Sequence, residues 1–154
     1  MTILITGATG LVGQELVNLL LQNGHNVHYL STSKSKLVTN TNYKGFYWNP
    51  KNAEIDTNAL TGVEVIIHLA GANVAKKWTT AYKEEIIESR VLSTQLLYQT
   101  LQKNSHQVKQ IISASAVGIY PDSLTDIYHE TDLDIDVSFL GNVVKQWENE
   151  VSQF

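Results

Sequence analysis

Three glycines near the amino terminus have the spacing of a turn that binds phosphate groups. They lie in Gly7-Ala8-Thr9-Gly10-Leu11-Val12-Gly13, between the apolar residues 3–5 and a stretch with helical periodicity. Glycine at such a corner adopts backbone angles that other residues avoid, and it lets a pyrophosphate approach the main chain closely. A helix that begins near Leu11 directs free N–H groups and the positive end of its dipole at the phosphates. The residues expected to hold them are Thr6, Gly7, Thr9, Gly10, Leu11, Val12 and Gly13.

The spacing within this turn is G-x-x-G-x-x-G, which differs from the commoner G-x-G-x-x-G fingerprint of dinucleotide-binding proteins. A glycine turn that only closes a strand–helix corner is the alternative interpretation. The strand before the turn, the amphipathic helix after it and the second strand at residues 27–30 together favour nucleotide binding.

The residues after the second predicted strand indicate which dinucleotide is bound. A carboxylate there hydrogen-bonds the ribose 2′-OH of NAD, whereas cationic or hydroxyl groups accommodate the 2′-phosphate of NADP. The chain has Ser31-Thr32-Ser33-Lys34-Ser35-Lys36 at this place, without an acidic residue. We therefore predict NADP as the cofactor, with NAD as the alternative, bound by Ser31, Thr32, Ser33 and Lys34. Lys36 offers a second ammonium, and a solvated polar loop with incidental lysines is the alternative interpretation.

The pattern of apolar residues predicts the elements that position these groups. Short apolar runs indicate strands buried on both faces, and apolar residues at helical spacing indicate helices. Strands that alternate with helices predict an α/β fold, a doubly wound parallel sheet of the Rossmann type with right-handed crossovers. The predicted strands are 3–5, 27–30, 44–47, 63–69 and 108–113. Three helices are predicted: the first begins near Leu11, the second spans about residues 80–102, and the third extends over 140–151. One face of the second helix carries Ile87, Val91, Thr94, Tyr98 and Leu101.

Composition limits the classes of function that remain. The chain has 154 residues, the size of one domain, and its 11 basic against 15 acidic residues give a net charge of −4. That balance excludes the basic surface of a protein that binds nucleic acid or anionic membranes. The absence of cysteine excludes disulfides, thiolate metal sites and a cysteine nucleophile. No apolar run reaches the about 18–20 residues of a membrane span, and no basic segment precedes residues 2–6, so we expect a cytoplasmic protein without nucleic-acid or membrane partners.

Several motifs together resemble one protein family. The glycine turn, His68-Leu69-Ala70-Gly71 and Ser113-Ala114-Ser115-Ala116-Val117-Gly118 stand in the order and spacing of the extended short-chain dehydrogenases/reductases. Trp78 and Glu88-Ser89-Arg90 narrow the resemblance to the NAD-dependent epimerase/dehydratase-like, or epimerase-family, oxidoreductases. Members of this family are about twice as long as this chain. The resemblance implies that residues 1–154 are an incomplete NAD(P)-binding Rossmann domain, truncated before the C-terminal substrate-binding part.

The resemblance also implies roles for individual residues. Leu69-Ala70-Gly71 would line the ribose and pyrophosphate of the cofactor, and Ser113-Ala114 belong to the same set of cofactor contacts. Arg90 would face the nicotinamide side of the cofactor. Its alternative is a surface position on the helix, paired with Glu85 or Glu88.

The family's catalytic residues are only partly present. The wider class uses a Ser or Thr with a Tyr and a Lys in a YxxxK arrangement, in which the ammonium lowers the pKa of the phenol. Ser115 aligns with that serine, but no tyrosine stands four residues before Lys145 on the last predicted helix. The string Tyr47-Trp48-Asn49-Pro50-Lys51 is rejected because its proline prevents the required helix. Tyr120 is the best local substitute phenol, with packing as the alternative, so the predicted catalytic residues are Ser115 and Tyr120. His68 is expected to be a hydrogen-bonded residue at a strand end rather than a base.

These observations leave two functions open. One is an enzyme, an NADP-dependent short-chain oxidoreductase or nucleotide-sugar-epimerase-like protein, whose small-molecule substrate the sequence does not identify. The other is a non-catalytic dinucleotide-binding module that senses the redox state of its cofactor, which the missing Tyr–Lys pair favours. No metal is expected, because the five histidines show no HExxH spacing. A truncated sheet leaves an unpaired edge and uncovered apolar surface, so we expect a homodimer or a swapped assembly.

Overall fold

A single six-stranded sheet with helices on both faces organises the chain. The computed structural model describes residues 1–132 and 134–154. The strands are β1 (Thr2–Thr6), β2 (Asn26–Ser31), β3 (Tyr43–Asn49), β4 (Glu54–Ile55), β5 (Val63–His68) and β6 (Gln110–Ser113). The helices are α1 (Leu11–Gln22), α2 (Thr80–Lys103) and α3 (Phe139–Val151). The strand order is β4-β3-β2-β1-β5-β6, and all pairs are parallel except β3 with β4. The predicted doubly wound, Rossmann-like α/β fold is confirmed.

The central strand β1 is buried on both faces of the sheet. Leu4 belongs to the apolar cluster that includes Leu97 of α2. Ile3 and Ile5 belong to the cluster on the opposite face, with Val17 of α1. An uninterrupted apolar run is the pattern that such a strand requires, since neither face meets water. Because β1 and its neighbours are parallel, their carboxyl ends meet at one edge of the sheet.

The buried face of α2 differs from the predicted one. Of the residues on the predicted face, Thr94 and Leu101 are buried, whereas Ile87, Val91 and Tyr98 are half-buried. The buried residues of α2 are Ile86, Ser93, Thr94, Leu96, Leu97, Thr100 and Leu101. The pattern was obscured because Ser93 and Thr100 interrupt the apolar row. Their hydroxyls are tolerated in the interior because each donates to a main-chain carbonyl four residues earlier in the helix, at 2.7 and 2.6 Å respectively.

The short strand β4 was absent from the prediction. After β3 the chain forms a 3-10 turn at Pro50–Asn52, and Ala53 adopts a left-handed conformation with φ of 53°. This reverses the chain, so that Trp48 pairs with Ile55 in antiparallel register. Two residues are too few to show an alternating pattern. The reversal fixes the turn that contains Lys51 at the carboxyl end of β3.

The carboxyl-terminal part of the described chain packs on α2 and leaves one sheet edge open. α3 lies against α2 and buries Trp147. β6 is an edge strand, and Ile112 on it is 46% exposed. The homodimer expected from such an edge stays a prediction. No helix in 1–132 or 134–154 combines the length and the apolar character that crossing a membrane requires.

Candidate functional site

The turn between β1 and α1 leaves no room for a side chain at two of its glycines. Gly7 has a φ of +72°, and a Cβ there would lie 2.8 Å from the main-chain oxygen of Leu69. A Cβ on Gly13 would overlap the carbonyl oxygen of Gly7. The amide of Gly10 donates to that same oxygen at 3.0 Å, which closes the turn. This is the tight, side-chain-free main chain that a pyrophosphate needs for a close approach.

The amino end of α1 presents main-chain N–H groups to which no side chain of residues 1–132 or 134–154 forms a hydrogen bond. Gly10 is the N-cap residue, it makes no side-chain cap, and the first turn of α1 contains no acidic residue. In most helices a Ser, Thr, Asp or Asn side chain accepts a hydrogen bond from these N–H groups. Leu11 and Val12 are 89% and 66% exposed, so this end of the helix is open. The residues present therefore fit a bound phosphate group.

Thr6, at the end of β1, organises the end of β5 through hydrogen bonds. Its Oγ1 accepts from the amides of Leu69 at 3.1 Å and Ala70 at 3.0 Å. The Thr6 hydroxyl must therefore donate its own proton to Nδ1 of His68, 2.7 Å away, which leaves the ring proton on Nε2. Nε2 donates to Thr94 Oγ1 at 3.0 Å, and that hydroxyl donates to the main chain of α2. The network joins β1, the loop after β5 and α2.

The imidazole of His68 is neutral in the folded protein. The residue is 1% exposed, and burial lowers its pKa from 6.5 to about 4. Because this pKa lies below that of the unfolded chain, the stability that depends on the neutral ring is present above about pH 6.5. It is lost as the pH falls toward 4. With both nitrogens hydrogen-bonded in the interior, His68 acts as a structural residue, in agreement with the interpretation of the sequence.

A cleft of about 470 Å³ opens at the carboxyl edge of the sheet beside the glycine turn. Its walls come from the ends of β1, β2, β3 and β5 and from the first half of α2, the place where ligands bind in doubly wound folds. The predicted cofactor residues that line it are Gly7, Thr9, Ser31, Thr32, Ser33, Ala70 and Gly71. Its charged and aromatic residues are Lys36, Trp48, Lys51, Glu85 and Glu88. The predicted cofactor residues outside its lining are Thr6, Gly10, Leu11, Val12 and Gly13 in and beside the turn, and Lys34, Leu69, Arg90, Ser113 and Ala114 elsewhere.

The loop after β2 is shaped by its own hydroxyl groups. Ser31 Oγ accepts from the amide of Ser33 at 3.1 Å, which is a typical serine turn. The ammonium of Lys34 lies 4.8 Å from the centre of the Tyr47 ring. Lys36, in contrast, lines the cleft. Of the two lysines considered for a 2′-phosphate, Lys36 is the one that reaches this cavity.

Arg90 supports the loop that follows β5. One guanidinium nitrogen donates to the main-chain oxygens of Ile86 at 3.0 Å and Ala72 at 3.3 Å. The Trp147 ring lies 5.3 Å from the guanidinium carbon, and a Cβ on Gly71 would come within 2.9 Å of that carbon. Burial lowers the pKa of the guanidinium from its ordinary value. Arg90 therefore fixes this loop by packing and hydrogen bonds from outside the lining of the cleft.

The carboxylate of Glu88 binds Lys51 rather than Arg90. Lys51 Nζ and Glu88 Oε2 are 2.9 Å apart. In the described part of the chain, Arg90 forms no ion pair with Glu85 or Glu88. The alternative interpretation of Arg90 as a surface ion-pair residue is therefore wrong. No pattern in the sequence indicates the pair that does form, because its members are on different elements.

The two predicted catalytic residues line a second cavity, of about 680 Å³, beyond the end of β6. Ser115 Oγ donates to the carboxylate of Glu148 on α3. The hydroxyl of Tyr120 donates to the main-chain oxygen of His129 at 3.2 Å, and its ring stacks on Tyr128 with 5.2 Å between centres. Tyr120 thus packs and also faces the cavity. The acidic residues of the lining are Glu130, Asp132 and Glu148, and no Lys or Arg lines it among the described residues.

No Tyr–Lys pair accompanies Ser115 in the parts of the chain that the structure describes. Lys145 is exposed on α3 and does not line the cavity. Lys51 is bound by Glu88 in the other cleft. The partner of Ser115 is a carboxylate, which the sequence motif did not include.

Comparison with known proteins places the chain among epimerase-like proteins. The model of the NAD dependent epimerase/dehydratase family matches residues 3–138. The epimerase family protein SSP1921 of Staphylococcus saprophyticus is 35% identical over 153 residues, which are 98% of this chain and 49% of that protein. The structure of human epimerase family protein SDR39U1 (isoform 2) with NADPH has a TM-score of 0.76 at 26% identity, over 97% of this chain and 48% of that one. A nucleoside-diphosphate sugar epimerase from Corynebacterium glutamicum has a TM-score of 0.75 at 32% identity, over 99% and 30%.

These matches agree with the resemblance carried by the glycine turn and by residues 113–118. The chain spans about half the length of the curated relatives it matches. The match to the family covers most of the chain, including the strand ends that border the two cavities. The chain belongs to the NAD-dependent epimerase/dehydratase family.

Proposed function

We propose that residues 1–154 are the NAD(P)-binding Rossmann portion of an oxidoreductase or nucleotide-sugar-epimerase-like protein of the extended short-chain dehydrogenase/reductase class. The observation that carries the proposal is the turn between β1 and α1, where Gly7 and Gly13 leave no space for side chains. The uncapped end of α1 follows it, beside a cleft at the carboxyl edge of the sheet. The human relative was solved with NADPH, which supports the same cofactor class here.

In this proposal each wall of the cleft holds one part of the dinucleotide. The main chain from Gly7 to Gly13 and the first N–H groups of α1 hold the pyrophosphate. Ala70 and Gly71 line the adjoining ribose, and Thr6 keeps their loop in place through its bonds to the amides of Leu69 and Ala70. Trp48 bounds the adenosine end, together with the loop after β2.

NADP is the proposed cofactor, because the loop after β2 offers hydroxyl groups and no carboxylate. Ser31, Thr32 and Ser33 line the cleft there, and Lys36 adds a positive charge. A carboxylate at this position would repel a 2′-phosphate, whereas an ammonium attracts it. NAD remains the alternative cofactor.

For an enzyme, Ser115 is the proposed catalytic hydroxyl. When bound, the nicotinamide supplies hydride transfer to or from a substrate carbon. Ser115 donates its proton to Glu148, so its oxygen remains free to accept a hydrogen bond from a substrate hydroxyl. Tyr120 provides a second hydroxyl on the same wall. The carboxylates around the cavity disfavour an anionic group of the substrate beside Ser115.

A non-catalytic module that senses cofactor redox state is the second candidate. The observation that favours it is the absence of a Tyr–Lys pair at the cavity of Ser115 in the described residues. Stopped-flow measurement of NADPH oxidation with a panel of carbonyl compounds separates the two functions. Turnover that is lost in Ser115→Ala supports the enzyme. Tight NADPH binding without turnover, measured in a protein that also contains the substrate-binding part, supports the sensor.

Fluorescence titration with NADPH tests the proposal that both candidates share. We expect saturation below millimolar concentrations, because the turn, the uncapped helix end and the adenosine wall all lie within this chain. Gln22→Glu is a control for a change of charge on α1. It adds a negative charge at the end of the helix that is far from the glycine turn, so it should not change the affinity for NADPH. A titration that shows no saturation up to millimolar NADPH would overturn the proposal.

A further inference from the structure

An ion pair joins two walls of the cleft. Lys51 lies in the turn Pro50–Asn52 after β3, Glu88 lies on α2, and their Nζ and Oε2 atoms are 2.9 Å apart. Both side chains line the cleft. They are 62% and 43% exposed, so the pair can open without uncovering the apolar core. The hydrogen bond and the charge of Glu88 raise the pKa of the Lys51 ammonium, which therefore stays charged at neutral pH.

The charges on the two walls have opposite sign. The wall formed after β2 and β3 contributes Lys36 and Lys51, whereas the α2 wall contributes Glu85 and Glu88. Within residues 1–132 and 134–154, Lys36 has no ion-pair partner. Lys51 is thus the cleft ammonium whose availability depends on an acidic residue of the protein.

We propose that Lys51 is a specificity-determining residue whose ammonium exchanges Glu88 for the 2′-phosphate when NADP binds. Glu88 competes with the phosphate, so it weakens the binding of NADP and narrows the preference for NADP over NAD. This inference rests on the proposed function, since it takes the cleft as the dinucleotide site. The ion pair thereby has a role in the choice between NADP and NAD that is separate from the role proposed for the loop after β2.

The exchange is favourable for NADP and not for NAD. A phosphate monoester carries a charge of about −1.5 to −2 near pH 7 and three acceptor oxygens, so it attracts an ammonium more strongly than one carboxylate does. NAD has a hydroxyl group at the same ribose position and cannot compete with Glu88 for Lys51. Before the phosphate can bind Lys51, the bond between Lys51 and the carboxylate of Glu88 must be broken. Removing that carboxylate should therefore help NADP more than NAD.

Fluorescence titrations of the chain with NADPH and NADH at low ionic strength test the exchange. The proteins compared are the wild type, Glu88→Gln, Lys51→Gln and the double variant. Glu88→Gln should raise the affinity for NADPH about two- to fivefold, the range expected of one exposed charge pair, and should change NADH binding by less than about twofold. Lys51→Gln should weaken NADPH binding about three- to tenfold. In the Lys51→Gln background, the gain from Glu88→Gln should disappear, because Glu88 acts through Lys51.

Glu84→Gln is the matched control, because it removes the same charge one turn earlier on α2 and lies outside the cleft lining. It should leave the ratio of the two affinities unchanged. An equal gain from Glu84→Gln, or a gain from Glu88→Gln that persists in the double variant, would overturn the inference, since either result means general electrostatics. Unchanged ratios in both single variants would overturn it as well. A wild type that binds neither dinucleotide would instead refute the proposed function on which the inference rests.

Discussion

The substitution Gly10→Asp should separate the stability of the protein from its ability to bind a dinucleotide. Gly10 is the N-cap residue of α1, with φ of −81° and ψ of 175°, a conformation that any residue adopts. Aspartate is among the preferred N-cap residues, because its carboxylate accepts from the first N–H groups of the helix. Those N–H groups are the ones proposed to bind the pyrophosphate. The same carboxylate should therefore stabilise the helix and block the ligand.

The expected size of each effect follows from the geometry of the turn. Replacing a glycine cap contributes a few tenths of a kcal/mol, and a negative charge at the helix end adds about 0.3–1 kcal/mol. A Cβ on Gly10 would lie 3.2 Å from the carbonyl oxygen of Gly7, which offsets part of this gain. The free energy of unfolding should stay equal or rise by about 0.5 kcal/mol, a change in Tm of about 1–2 °C. Repulsion between the carboxylate and a diphosphate, at about 1–4 kcal/mol for each charge pair at 4 Å, should weaken NADPH binding about a hundredfold.

Two measurements check this pair of effects. Thermal unfolding followed by circular dichroism gives Tm, and fluorescence titration gives the affinity for NADPH. Gly10→Asn is the matched control, since asparagine caps the helix equally well without a charge, and its loss of affinity should be several times smaller. NADPH binding by Gly10→Asp at the affinity of the wild type, with the fold intact, would refute the placement of the phosphates at this turn.

Other perturbations test separate parts of the structure. When the pH is lowered from 7 to 5, the titration of His68 should reduce the free energy of unfolding, measured in urea, by about 2 kcal/mol. The reason is that the pKa of His68 is about 4 in the folded protein and 6.5 in the unfolded chain. The variant His68→Gln should not show this part of the pH dependence. Gly13→Ala should cost about 2 kcal/mol in a denaturant titration, since its methyl group meets the carbonyl oxygen of Gly7; an unchanged midpoint would contradict the turn geometry. Ser115→Ala should leave the affinity for NADPH within about twofold in a fluorescence titration, because Ser115 lines a different cavity, and a tenfold loss would place it in the cofactor site. Light scattering should give the mass of a dimer or a larger assembly, as expected of an exposed β6 edge, and a sharp monomer peak would contradict that expectation.

The parts of the fold that could be predicted from the sequence are those encoded by neighbouring residues. Residues 3–5 identify β1 because both of its faces are buried, and Gly13 is required by its contact with the carbonyl oxygen of Gly7 in the same turn. The strand β4 could not be predicted, because its pairing depends on one residue in the left-handed conformation, Ala53, rather than on a pattern of apolar residues. The buried face of α2 was not identified from the sequence, because two of its residues, Ser93 and Thr100, are polar. Their hydroxyls donate hydrogen bonds within the helix, which allows them to be buried.

The pairs of the candidate site could not be predicted for a different reason. Ser115 and Glu148 are 33 residues apart and lie on a loop and a helix that meet only in the folded chain. Lys51 and Glu88 likewise come from a turn and from α2. A motif records which residue types recur at fixed spacing along a chain, and no spacing connects these partners. The sequence therefore indicated Ser115 as a candidate but assigned no role to Lys51, and the acidic partners of both residues became visible only in the structure.

The position of α3 connects the two cavities physically. Trp147 lies against the guanidinium of Arg90, which holds the loop Gly71–Ala72 at the wall of the first cleft. The next residue, Glu148, accepts the hydrogen bond of Ser115 in the second cavity. A shift of α3 would thus move the support of the proposed ribose-binding loop and the partner of the proposed catalytic hydroxyl together. Because adjacent residues of one helix make both contacts, α3 couples the position of the cofactor wall to that of Ser115, as the proposed hydride transfer between cofactor and substrate requires.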